Sequence, residues 1–239
     1  MSETTRMWME ISFNLAYLAV VWSLGIAMCR RQKRLLPADR PLARLFIWAF
    51  ALLALGDTGH VGFRTLAYAL GDLDATFTLS SIQVGLVGIG ALATGVTVTI
   101  FYALMLAIWR TRFDKQFGWF GYLLLAAAVV RLLLMLSPAN EWNNTVPPQP
   151  WSIYRNLPLM LQGLGVAYLI LRDALASKDR VFTWVGVMIL ASYAFYIPVI
   201  FFVQRFPLIG MLMIPKTVAY VAIAFLAYLN LKAPESHKV

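Results

Sequence analysis

A chain of 239 residues that is 61% hydrophobic and only 13% charged carries about half the charge of a soluble domain of its length, which excludes an ordinary water-soluble fold. Its formal net charge of +9 is gathered between apolar stretches, so no basic face is left for a phosphate backbone and a nucleic-acid partner is excluded. A spanning helix needs about 20 apolar residues, and the expected fold class is therefore all-α: a polytopic seven-transmembrane helix bundle, one domain over 1–239, with membrane lipids around it.

The first span is predicted over 7–28. The segment before it holds Glu3 and Arg6 rather than the net positive charge of a signal peptide, and no small-residue cleavage site follows. The span ends in RRQKRLLPADRPLAR, residues 30–44, with six basic residues against one acid. Loops rich in Lys and Arg stay in the cytoplasm, so the N-terminus is expected outside. Cys29, the single cysteine, excludes an internal disulfide and a multi-cysteine metal site.

The second span is predicted over 45–70, followed by the outward loop GDLDATFTLSS with two acids and no base. The third, over 82–109, ends in the inward loop RTRFDKQFG, and the fourth, over 119–136, in the outward SPANEWNNTVPPQPW, whose Pro and Asn content stops a helix. The fifth covers 152–171 and ends in RDALASKDR, the sixth 181–203 before the short turn QRFP, and the seventh 208–231 before KAPESHKV. The C-terminus is thus expected inside, and the location a cytoplasmic or plasma membrane crossed several times.

Trp8, Trp22, Trp109, Trp119, Trp142 and Trp151 fall near span ends or in loops, where indole rings anchor at head-group level. On the third span Gly88, Ala91, Gly95 and Thr99 form a stripe of small side chains that lets a neighbour approach closely. No internal repeat stands out, and no inverted pair of broken helices of the transporter kind.

An ionisable side chain inside a span costs about 2.5 to 3.5 kcal/mol on insertion scales, which makes such residues the informative ones. In LALGDTGHVGFRTL, Asp57, His60 and Arg64 lie at i, i+3 and i+7, on one helix face. Asp57 is expected near the midplane, with His60 and Arg64 closer to the outside. Arg131 belongs to the outer third of the fourth span, Arg155 and Asn156 begin the fifth with Gln162 deeper, and Lys216 lies about two turns into the seventh. Glu10, Asn14 and Tyr17 form a polar stripe at the outer end of the first span.

The ionisable residues thus gather in the outer half, balanced to slightly cationic. Arg64, Arg131, Arg155 and Lys216, with Asn156, Glu10 and Asn14, are the candidate ligand-binding set for an anionic small molecule or lipid head group. The competing reading is that the charges pair with one another and lock the bundle. Prolines 158, 198 and 215 interrupt three of the helices beside the cluster, Pro215 loosening the chain just before the lysine.

Metal binding is not expected, because the chain has two histidines and His237 is in the tail. No cofactor motif is present. Hydrolysis by a nucleophile is disfavoured: Cys29 is on the wrong side, and Thr58, the hydroxyl nearest His60, is on another face. Acid–base catalysis by Asp57 and His60 on an amphiphilic substrate is the alternative function. Asn143, Asn144 and Thr145 also form a glycosylation sequon, relevant in a eukaryotic source.

Lys216 in a seventh helix, together with SYAFYIPV at 192–199, resembles the corresponding helices of microbial rhodopsins. The resemblance covers two helices and implies a retinal-type photoreceptor with Lys216 as its Schiff base. The sequence departs from that family at Leu212, where an Asp is usual, and in a third span without an acidic counterion.

Overall fold

The structure is a computed structural model describing residues 3–79, 82–144 and 147–231. Seven α-helices dominate these residues: α1 (Glu3–Gln32), α2 (Arg40–Ala69), α3 (Leu86–Phe113), α4 (Trp119–Met135), α5 (Trp151–Ala176), α6 (Arg180–Phe202) and α7 (Met213–Asn230). Six helical segments are long and apolar enough to cross a membrane, α7 together with the 3-10 turn Pro207–Leu212 being one of them. The protein is a multi-pass membrane protein. The remaining helix, α4, is apolar but has only 17 residues.

The third span starts later than its hydropathy implies. Residues Ile82–Gly85 form strand β2, paired antiparallel with β1 (Thr76–Leu79), with Phe77 opposite Val84. Alternation of Thr and apolar residues favours a pleated ribbon here. Phe77 packs toward Ala67, Leu86 and Val87, which seats the hairpin on the ends of α2 and α3.

Asn143 clamps the hairpin from the loop after α4. Its Oδ1 accepts from the Gly85 backbone N–H at 2.8 Å, and its Nδ2 donates to the Gln83 carbonyl at 3.0 Å. Both ends of the carboxamide are engaged, which disfavours a glycan on Asn143. Thr145 of the sequon and His237 lie outside the described residues.

Pro215 is also placed differently from expectation. The 3-10 turn precedes α7, so Pro215 falls in the first turn of α7, where a missing N–H leaves no bond unmade. It starts a helix rather than loosening one, whereas Pro158 and Pro198 lie inside α5 and α6.

Two tryptophans depart from the anchoring role. Trp109 is 3% exposed and donates its Nε1 proton to Asp173 at 2.8 Å. Trp22 lies well inside α1 and donates to Thr58 Oγ1 at 3.1 Å. Trp8 and Trp119 stay exposed, as anchoring requires. At the Trp109 end, Arg112 grips Asp179 Oδ2 with Nε at 2.9 Å and Nη2 at 2.7 Å. The other oxygen of Asp179 caps α6 through the Phe182 N–H at 3.1 Å.

Candidate functional site

At the end of the bundle near the start of α1, Glu10 and Arg64 form an ion pair, Nε to Oε1 at 2.7 Å, with side chains 31% and 25% exposed. Arg64 also lies over the Tyr68 ring. This pair closes the outermost part of the predicted set on itself. Asn14, one helical turn from Glu10, is half-buried and makes no side-chain hydrogen bond among the described residues.

One level deeper, Asp57 of α2 is held by hydroxyls. Tyr17 of α1 donates to Oδ2 at 2.5 Å, and Thr94 of α3 donates to Oδ1 at 3.2 Å while also reaching the Gly56 carbonyl at 3.0 Å. Helices α2 and α3 come close enough for this because they meet at glycines. A methyl on Gly90 would stand 2.9 Å from His60 Cα. Asp57 does not bond His60, and His60 Nδ1 is buried without a partner among the described residues.

Arg131 of α4 is 4% exposed, deep among α3 and α5. Its Nη1 donates to the Gly95 carbonyl at 3.0 Å and to Thr99 Oγ1 at 2.6 Å, and its Nε to the Arg155 carbonyl at 3.1 Å. The predicted small-residue stripe explains the fit. Gly95 and Thr99 leave the α3 backbone open to the guanidinium, and a methyl on Gly95 would press on Met135 Cε at 2.6 Å. At the upper end of the stripe, a methyl on Gly88 would overlap the Trp142 carbonyl, so the stripe receives α4 and its following loop. Gln162 joins by donating to the Thr99 carbonyl at 3.2 Å, and its Oε1 is buried without a donor among the described residues.

Arg155 of α5 lies 4.3 Å from the Trp142 ring centre and donates Nη1 to Asn140 Oδ1 at 3.3 Å. Its neighbour Asn156 receives the Tyr196 hydroxyl at 3.1 Å and donates to the Ser152 carbonyl at 2.8 Å. Lys216 of α7 places Nζ 4.1 Å from the Tyr196 ring centre and 5.6 Å from that of Tyr220. Tyr220 and Tyr102 share a hydrogen bond of 2.9 Å, and Tyr193 donates to the Leu159 carbonyl at 2.8 Å.

These groups form one electrostatic neighbourhood. Lys216 feels the charges of Asp57 and Arg131, and His60 those of Arg64 and Lys216, without a direct bond between them. Yet among the described residues none of Arg131, Arg155 and Lys216 has a carboxylate within ion-pair distance. Carbonyls, a carboxamide and ring faces hold them instead. No group of three or more His, Cys, Asp or Glu suited to a metal ion occurs among the described residues.

Helix α3 contains no Asp or Glu, so the carboxylate in the field of Lys216 is Asp57 of α2. Tyr17 belonged to the predicted polar stripe, whereas Tyr102, Tyr193, Tyr196, Tyr220 and Thr94 escaped sequence reasoning. Their one available signal is spacing: Tyr193 and Tyr196, and Lys216 and Tyr220, share helix faces. No protein-family model matches the chain, and neither does any curated protein or solved structure.

Proposed function

We propose that the protein is a membrane-embedded binding protein, receptor-like or a component of transport, that takes an anionic small molecule or lipid head group at the cluster around Lys216. One observation carries the reading: among the described residues three sheltered cations, Arg131, Arg155 and Lys216, share their neighbourhood with one carboxylate, Asp57, that pairs with none of them. A buried cation without a counter-ion is costly, and an anionic guest supplies the missing charge. Glu10 and Arg64 neutralise each other and drop from the binding set to its rim. Asn156 orients Tyr196, and Asn14 faces the guest from α1.

The reading places the cluster toward the outside of a seven-span bundle in a cytoplasmic or plasma membrane, N-terminus out. The basic loops at 30–44, 110–118 and 172–180 support that orientation. At about 1.5 Å per residue, α4 is about 25 Å long, close to the hydrocarbon thickness.

Native mass spectrometry of protein released from mild detergent tests the reading. Wild type is expected to carry an anionic adduct that the Lys216→Met, Arg155→Gln double variant loses. A neutral or cationic adduct, or one retained equally by the variant, would contradict it.

A second reading, acid–base catalysis on an amphiphilic substrate, draws on the buried, unpartnered His60 Nδ1. It predicts that His60→Ala keeps substrate affinity and loses turnover by about 10² to 10⁴-fold. Loss of affinity with unchanged turnover per bound substrate would sink it.

A further inference from the structure

At the other end of α1, far from the cluster, a groove of about 590 Å³ opens between α1 and α7. On this side its wall is Ser23, Ile26, Ala27, Arg30 and Arg31, which at i, i+3, i+4, i+7 and i+8 share one face of α1, with Arg34 in the turn that follows the helix. The face is graded along its length, small and apolar toward the bundle centre and wholly basic at the end. From Ser23 to Arg31 it covers about 12 Å of helix, about two-fifths of the hydrocarbon core.

Among the described residues the three arginines pair with no carboxylate. Arg31 is braced by Tyr228 of α7, with Nη1 3.3 Å from its carbonyl and the guanidinium 4.7 Å from its ring centre. Arg30 and Arg34 are exposed, and no acidic residue among the described ones lines the groove. Arg30 and Arg31 lie in the last turn of α1, which suits the helix dipole, but among the described residues most of the guanidinium donors find no acceptor.

We propose that this groove binds an anionic phospholipid, its phosphate against Arg30, Arg31 and Arg34 and an acyl chain along Ile26 and Ala27. Three cations with no acid among them complement a net negative head group, which Arg grips by paired N–H donors. A zwitterionic head group brings its own cation and gains less. The graded face accounts for both halves of an amphiphile, whereas a soluble phosphate uses only the basic half.

The test is native mass spectrometry of the full chain titrated with phosphatidylglycerol or phosphatidylcholine of identical acyl chains. Wild type is expected to hold phosphatidylglycerol at least about fivefold more tightly, and the Arg30→Gln, Arg31→Gln, Arg34→Gln variant to lose that preference. Ala27→Trp, or Ser23→Phe where that variant fails to fold, fills the groove with charge unchanged and is expected to lose binding of the lipid. Lys33→Gln with Arg44→Gln removes two neighbouring charges outside the groove and is expected to keep the preference. Equal loss in that control, retention by the groove-filling variants, or displacement by inorganic phosphate at matched concentration would each overturn the proposal. Preference that emerges only on deleting residues 232–239 would assign the groove to that segment instead. Neither outcome bears on the Lys216 cluster, which these variants leave untouched.

Discussion

Asp57 owes its place to two hydroxyls rather than to a cation, and this arrangement has a measurable cost. Tyr17→Phe removes the 2.5 Å donor and leaves a sheltered carboxylate short of one partner, which costs about 1 to 3 kcal/mol. A lowered melting temperature in neutral detergent is the expected result, and an unchanged one would show that the bond contributes nothing. Lys216 is the opposite case. Among the described residues its ammonium meets ring faces and no acceptor, so Lys216→Met orphans no group and the protein without a guest should keep its stability within about 1 kcal/mol. Charged members of the cluster were legible in the sequence because an ion inside an apolar stretch stands out energetically. Tyr102, Tyr193, Tyr196, Tyr220 and Thr94 were not, because aromatic and hydroxyl side chains sit in membrane helices at little cost and read as ordinary core.

Helix α3 organises the bundle at the next scale, through residues that lack side chains. Gly95 opens the backbone carbonyl that Arg131 uses, and Gly88 admits the loop carrying Trp142. Gly88→Ala would drive a methyl into a backbone carbonyl rather than a flexible side chain, so the expected destabilisation reaches or exceeds about 3 kcal/mol. Gly25→Ala, with nothing within 4 Å of the added carbon, is the control that should be neutral or better in a thermal melt. The stripe 88, 91, 95 and 99 was readable from helical spacing; which neighbour it receives was not, since small residues advertise closeness without naming a partner. Hydropathy likewise missed the hairpin. Ile82 and Val84 add to an apolar sum as well in a strand as in a helix, and only the period-2 alternation of Thr76–Leu79 and Ile82–Gly85 separates the two. Pro215 was misplaced for a related reason, because its effect depends on where the helix begins.

For the whole molecule, six apolar helical segments among the described residues make the chain a multi-pass membrane protein, and the proposed seventh crossing would rest on the 17 residues of α4. The single exposed cysteine, Cys29, tests the proposed orientation without engineering. A membrane-impermeant thiol reagent is expected to label it only when the cytoplasmic face is accessible. Thr76→Cys in a Cys29→Ser background should label only from outside, and the reverse pattern would invert the topology. The class of the molecule was legible because composition alone sets the solvent. The identity of the proposed guest was not, because a cationic excess specifies charge and leaves chemical identity open. The most direct test is the melting temperature in neutral detergent against rising concentrations of an amphiphilic phosphate, an amphiphilic carboxylate and the matching neutral alcohol. The account predicts stabilisation by one or both anions, approaching about 2.7 kcal/mol at a hundredfold excess over Kd, none by the alcohol, and loss of the effect in Lys216→Met with Arg155→Gln. Equal stabilisation of wild type and variant, or none by either anion, would contradict it.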